Sequence, residues 1–240
     1  MLDSARAPDV STRKARAERV LDEAAKLLLR LGYKRVTVED VAEQAEIGKG
    51  TIYLHWKTRE ELFYAVFERD YLEAIDELVI VLRRDPQSVL LHRMTHALFL
   101  HFMRRPLLRA ALTGDLELLG RMAKVVDRRA MEVQGRIVFN EYLQLLYREG
   151  LVRADIDPRE FFFAYRATVG GYFIQKESFS DQDQIPLERR AELLATTIQR
   201  TFEVEEAPVS DAVLEIAPRV IEIFAEISTI VRAHLAQAYA

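Results

Sequence analysis

Residues 48–57 read Gly-Lys-Gly-Thr-Ile-Tyr-Leu-His-Trp-Lys and set Lys49, Thr51, Tyr53, His55 and Lys57 close behind two glycines. Ammonium, hydroxyl, phenol and imidazole groups all donate hydrogen bonds to phosphate oxygens, and Gly48 and Gly50 carry no side chain to hold the backbone away from a phosphate. Taken singly, Gly-Lys-Gly is a turn and Tyr53 and Trp56 are core aromatics, so the weight lies on the pattern. His92 and His96, at i and i+4, share a helix face and have metal-ligand types. No acidic residue in that segment completes the pair and His101 falls elsewhere on the helix, so no metal is expected, and His96 reads as a polar anchor. The chain has no cysteine, which removes thiolate zinc sites, disulfides and cysteine nucleophiles and points to a reducing, cytoplasmic setting. No base, nucleophile and orienting group stand in a recognisable arrangement, so neither an enzyme nor a cofactor is expected.

The elements that position residues 48–57 are legible on either side. Ser11 is a candidate N-cap, and Val20, Ala24, Leu27, Leu28 and Leu31 keep helical spacing until Gly32. Thr37 and Asp40 form a capping box ahead of Val38, Val41, Ala42 and Ala45. Glu46-Ile47-Gly48 breaks that period, and Lys49–Trp56 reads as a second short helix with Ile52 and Trp56 on one face. Thr58 and Glu61 cap a long helix through Leu62, Phe63, Val66, Phe67 and Leu72 to Arg84. Two short helices joined by a tight turn are the geometry that lays the second in the DNA major groove, about 12 Å wide.

Asp85-Pro86 ends the long helix. Ser88–Arg105 reads as a helix stopped by Pro106, residues 116–149 as a long amphipathic stretch with Gly150 as its C′ residue, and Pro158 as the first helical residue of the next. A polar loop at 178–184 separates that helix from another beginning at Pro186. A break at 203–208 precedes a final helix from Asp211 to the C-terminus, interrupted at Pro218. The sum is an all-α chain of about ten helices.

The 240 residues (27.7 kDa, 50% hydrophobic, 30% charged) have the balance of a globular protein with a sizeable core. The longest apolar runs, Leu78–Leu82 and Phe161–Tyr165, fall far short of the roughly 18 residues of a membrane span, and the charged N-terminus lacks a secretory h-region. A net charge of −4 speaks against a nucleic-acid partner until it is divided. Residues 1–59 hold 12 Lys+Arg against 9 Asp+Glu, a balance of +3, and the other 181 hold 22 against 29, a balance of −7.

Gly32-Tyr33, Thr37-Val38-Glu39-Asp40-Val41-Ala42 and the unbroken run Lys49–Leu62, KGTIYLHWKTREEL, together resemble the DNA-binding domain of the TetR (tetracycline repressor) family over about residues 14–70. The resemblance implies an N-terminal three-helix bundle with a helix-turn-helix, followed by a larger helical ligand-binding and dimerisation domain. Its divisions here would be a flexible basic arm at 1–12, the DNA-binding domain at 13–60 and the regulatory domain at 61–240, with an extra C-terminal helix at 211–240. By the same resemblance Thr37 touches phosphate, Gly48, Lys49, Gly50 and Thr51 approach the groove, and Tyr53, His55 and Lys57 hold the backbone. Trp56 stands where the family has Phe, and reads as core. Leu54 would offer an apolar contact, such as to a thymine methyl. Two positions depart from the family pattern: Glu46 replaces a turn glycine expected to need φ > 0, and Gly48 replaces a capping serine. Arg6, Arg13, Lys14 and Arg16 form a basic arm and first turn that read equally as solvated tail or as DNA contact.

The implied partners are double-stranded operator DNA, a small-molecule effector and a second copy of the chain, docked through 158–178 and 186–202, with no membrane. Phe99, Phe102, Phe139, Tyr142, Tyr165 and Phe173, with His96, are the candidate pocket for a lipophilic or aromatic effector, and each ring reads also as plain core. The function implied is a ligand-responsive transcriptional repressor. The alternatives are an activator of the same fold, and an all-α small-molecule-binding protein whose N-terminal bundle is only structural. The apolar stripe of the last helix must cover either its own body or the partner.

Overall fold

The computed structural model describes residues 10–112, 128–175, 185–204 and 209–239. Arg6, the arm up to residue 9 and the predicted loop at 178–184 lie outside them. The described residues form ten α-helices and one short 3-10 turn, with no β-strand.

Four helices build the N-terminal head: α1 (Val10–Leu31), α2 (Val38–Gln44), α3 (Lys49–His55) and α4 (Arg59–Arg84). Each predicted apolar stripe faces one core. Val20, Leu21, Ala24, Leu27 and Leu28 of α1, Val38, Val41 and Ala42 of α2, Ile52 of α3, and Leu62, Phe63 and Val66 of α4 are all buried together with Trp56. Leu31 is the exception, 38% exposed at the end of its helix. Gly32 ends α1 with φ +76°, the left-handed C′ position that glycine adopts without strain.

The body comprises α5 (Leu91–Met103), α6 (Pro106–Leu112), α7 (Arg128–Arg148), α8 (Pro158–Ile174), α9 (Leu187–Phe202) and α10 (Val209–Tyr239). Their second core joins Leu78 and Leu82 of α4 to Met94, Phe99, Leu146, Phe161, Ile198, Phe202, Val220 and Phe224. So α4 belongs to both cores, its first half to the head and its second to the body.

Three expectations need correction. The predicted helix 88–105 is divided: Asp85 Oδ1 accepts from the Gln87 amide at 3.0 Å and caps a 3-10 turn at Pro86–Val89, and α5 starts only after extended Leu90. Pro106, read as a stop, is the first residue of α6, where its missing N–H costs nothing. Pro218 does not interrupt the last helix. The carbonyl it deprives of a partner is that of Leu214, and both residues face solvent, where water satisfies the freed oxygen. Buried residues on either side, Val213, Ile216, Val220 and Ile223, hold the helix to the body through the proline.

The last helix packs most of its apolar stripe on its own chain, while Leu214 (60%) and Ile230 (56%) stay exposed. Its N-terminal half lies in the body core, and Leu235, near its end, is buried in the head core.

Candidate nucleic-acid interface

The turn between α2 and α3 is fixed by backbone bonds. Glu46 N donates to Glu43 O at 3.1 Å and Ile47 N to Ala42 O at 3.0 Å, the paired closure of a Schellman turn, which requires a left-handed residue at C′. That residue is Glu46, at φ +55°, the one non-glycine with positive φ among the described residues. Glu46 stands where the resemblance puts a turn glycine, and it takes the left-handed conformation expected there. Gly48 sits at the N-cap of α3 with no side chain to cap it, and α2 keeps its full box: Thr37 Oγ1 accepts from Asp40 N at 3.1 Å and Asp40 Oδ2 accepts from Thr37 N at 2.8 Å.

This geometry sorts the candidate residues by exposure. Thr37, Gly48, Lys49, Gly50, Tyr53, Leu54 and Lys57 are exposed and Thr51 is half-buried. Leu54 is 65% exposed, an apolar side chain on an otherwise polar face. His55 departs from the expectation of a backbone contact: it is buried, 8% exposed, with its ring 5.4 Å from that of Trp56. Its place, three residues after Ile52, puts it on the inward side of a seven-residue helix. Arg13 and Arg16 are half-buried and Lys14 is exposed on the first turns of α1.

Lys49 Nζ is held by the Glu39 carboxylate of α2 and lies 5.7 Å from the Tyr53 ring. The pairing holds Glu39 below and Lys49 above their ordinary pKa values, each through that mutual hydrogen bond first. Thr58 Oγ1 accepts from Glu61 N at 3.1 Å, while Glu61 Oε2 reaches the Lys57 amide at 2.7 Å rather than that of Thr58. The cap thus fixes the backbone at Lys57 and leaves its ammonium exposed.

Arg59 is the structural residue that sequence reasoning missed. Its Nε donates to Val36 O at 2.8 Å and its Nη2 to Tyr33 O, and the guanidinium lies over the rings of Tyr33 (4.4 Å) and Phe63 (4.8 Å). It satisfies two carbonyls of the α1–α2 connection and fixes the angle of the short helices against α4. Nothing in the periodicity of a residue just past a helix cap signals a reach of 23 to 26 residues back.

The candidate pocket residues form two ring clusters in the body. Phe173 packs 5.1 Å from Phe99 and 6.3 Å from Phe102. Phe139 stacks on Tyr165 at 4.9 Å and meets Tyr142 at 6.3 Å. Both phenols are satisfied: Tyr142 donates to Val89 O at 2.7 Å, and the Tyr165 hydroxyl lies 2.9 Å from Thr95 Oγ1. Burial pushes the Tyr165 phenol up to about 12 and also raises that of Tyr142 well above its ordinary value. His96 opens instead onto a groove of about 400 Å³ walled by Val81, Ser88, His92, Arg93, Glu192 and Thr196. Burial holds its imidazole below the ordinary value. His92 is not available as a metal partner on its Nδ1 side, which meets Glu203 Oε2 at 2.6 Å. Among the described residues no group of three or more His, Asp or Glu is placed to hold a metal.

A two-helix reading unit with an exposed second helix, carried on a larger all-α body, defines a helix-turn-helix protein. Residues 20–66 match the family described as "Bacterial regulatory proteins, tetR family". The likeness to that family is carried by the head, about a fifth of the chain. Over 52 residues it is 44% identical to "Uncharacterized HTH-type transcriptional regulator YhgD" of Bacillus subtilis (strain 168), a stretch that covers 22% of this chain and 27% of that protein. Two solved structures share the fold along most of their length. The putative transcriptional regulator SCO4942 from Streptomyces coelicolor has a TM-score of 0.54 at 22% identity, over 77% of this chain and 97% of that one. SmeT, the repressor of the Stenotrophomonas maltophilia multidrug efflux pump SmeDEF, has a TM-score of 0.54 at 20% identity, over 79% and 91%. SmeT is also known as a complex with triclosan, which matches with a TM-score of 0.53 at 21% identity, over 80% and 93%. Among the described residues no helix is long and apolar enough to cross a membrane.

Proposed function

We propose that the chain is a dimeric, ligand-responsive transcriptional repressor that reads a palindromic operator with α3 and releases it when a lipophilic or aromatic small molecule enters the body. The observation that carries this is the exposed face of α3, where Lys49, Tyr53, Leu54 and Lys57 stand on solvent behind a turn closed by Schellman bonds. Phosphate contacts from Thr37, Lys49, Thr51, Tyr53 and Lys57 set the register, and Leu54 selects thymine through its methyl group. The basic turn at Arg13, Lys14 and Arg16 adds backbone contact at the edge. One short helix reads too few base pairs to be selective, so two copies must act together.

The docking face best suited to that pairing is the outer stripe of α8, where Phe163 (75% exposed) and Ile174 (59% exposed) flank Ala167, Gly170 and Gly171. Exposed apolar side chains beside small residues let a second helix approach closely, and α9 lies next to them. An effector acts through α4, the helix shared by both cores: a displacement of Leu78 or Leu82 in the body is carried to Leu62 and Phe63 in the head. Triclosan in SmeT supports an effector of this chemistry in the fold.

Selection of bound sequences from a random double-stranded DNA pool tests the reading. The expected product is an inverted repeat with half-site centres one helical turn apart, about 34–36 Å, carrying an invariant thymine that Leu54→Ala relaxes. A pool that shows no enrichment after repeated rounds contradicts it.

A further inference from the structure

Helix α10 is 31 residues long, about 46 Å at 1.5 Å per residue, and it passes from one hydrophobic core to the other. Val213, Ile216, Ala217, Val220, Ile223 and Phe224 fill the body core, and Leu235, 4% exposed, fills the head core with Val231 packed against it. Polar contacts to α4 run along the same half. Glu68, 8% exposed, has its two carboxylate oxygens 2.9 and 2.8 Å from Nδ1 of His234, and Tyr64 is a second hydrogen-bond partner of that carboxylate. The His234 ring stands 6.2 Å from that of Tyr64. Asp76 accepts from Ser228 Oγ and, at 2.7 Å, from Arg232 Nη2. From the other side Leu107 of α6 enters the head core as well.

Head and body are therefore joined three times: by α4, which is continuous, and by Leu107 of α6 and the end of α10, which are only docked. A docked helix end and a covalent connection differ in what each permits. While Leu235 is seated, the head cannot turn about α4 without leaving a cavity in its own core or dragging α10 from the body. Once residues 228–235 lift off, the head is held by α4 and α6 alone. Packed contacts of this kind are seated or unseated and do not yield gradually.

We infer that the C-terminal end of α10, Ser228 to Leu235, is a releasable latch that fixes the angle of the head relative to the body, and that its undocking is the step that frees the head to move. The latch concerns the orientation of the head alone, and stands whether or not the head binds DNA. It is formed by the chain on itself, so it operates in each copy separately.

The absence of cysteine makes the test direct. Glu43→Cys on α2 and Arg148→Cys on α7, both at exposed positions, take spin labels in the full chain, diluted with unlabelled protein. Pulsed electron resonance should give one narrow head-to-body distance. Leu235→Ala, and separately His234→Ala, should broaden it by about twofold or add a second distance, while Leu214→Ser, an exposed position on the body half of the same helix, leaves it unchanged. An unchanged distribution in both latch variants, or equal broadening from Leu214→Ser, overturns the inference. Hydrogen exchange on the unaltered chain gives a second readout independent of any variant's folding. Amides of 228–239 should exchange at least about tenfold faster than those of 216–224, reporting local undocking, and equal or slower exchange overturns the latch.

Discussion

At Glu46 a side chain occupies backbone space that glycine fills without cost. Left-handed geometry costs a residue with a β-carbon roughly 1–2 kcal/mol, partly offset by the roughly 0.5–1 kcal/mol of extra chain entropy that glycine loses on folding. Glu46→Gly should therefore stabilise the protein by about 0.5–1 kcal/mol, seen as a rise of roughly 1–4 °C in thermal unfolding followed by circular dichroism; a lower midpoint would show that the Glu46 side chain itself supports the turn. Arg59 carries the opposite sign. Removing its guanidinium leaves the Tyr33 and Val36 carbonyls without their donor, and Arg59→Met should cost about 2–3 kcal/mol in urea unfolding. Arg59→Lys should recover less than half of that, since one ammonium cannot span both carbonyls and lie over two rings. The two residues also mark the reach of sequence reading. Glu46 was visible, because a turn between two short helices demands a left-handed residue whatever its identity. Arg59 was invisible, because its partners lie in a connection that has no periodicity to analyse.

Among the elements, α4 is the one whose charges report on packing. Asp70 is pushed up to about 6 by burial first and by the Glu73 charge second, against the lowering effects of Arg69 and Arg105. The folded-state value is raised, so the unfolded carboxyl has lost its proton at a pH where the folded one still holds it. Stability contributed by this group therefore falls as pH rises from about 4 through about 6. Asp70→Asn should raise the unfolding midpoint at pH 7.5 and lose that advantage near pH 4; a constant difference across this range would mean that Asp70 is not the titrating group. The capped elements were the ones legible in advance. Thr37 with Asp40, Thr58 with Glu61, Gly32 and Gly150 each mark a helix end by a local chemical requirement. Prolines were legible as positions and ambiguous as signals: Pro86, Pro106 and Pro158 all begin a helical turn, and Pro218 sits inside a helix that two flanking buried faces hold together.

For the whole molecule the division of charge takes on a spatial meaning. The +3 of residues 1–59 covers α1, α2 and α3 and ends where α4 begins, and the −7 remainder covers α4, the rest of the body and α10. The head was readable because its residues are close in sequence and its pattern is dense. The candidate pocket was not, since aromatic residues at helical spacing pack as rings whether or not a cavity lies between them, and only tertiary placement divides them into two clusters with His96 on a separate groove. The α10 docking was equally hidden: an apolar stripe states that something is covered and not what. Pairing through α8 predicts that Phe163→Glu converts a dimer to a monomer in light scattering after gel filtration, with the helix content of the chain unchanged; a dimer that persists would place the two-fold contact elsewhere.

Binding of a DNA backbone by α3 and the α2 cap is measured by the affinity for the enriched duplex as a function of salt concentration, for the unaltered chain and for Lys49→Ala and Tyr53→Ala. Log affinity should fall linearly with log salt at a slope near −0.9 per phosphate neutralised, and Lys49→Ala should both weaken binding and lower that slope by about one unit. Tyr53→Ala should weaken binding and leave the slope unchanged. Affinity that is independent of salt and indifferent to both substitutions would show that α3 does not bind a phosphate backbone.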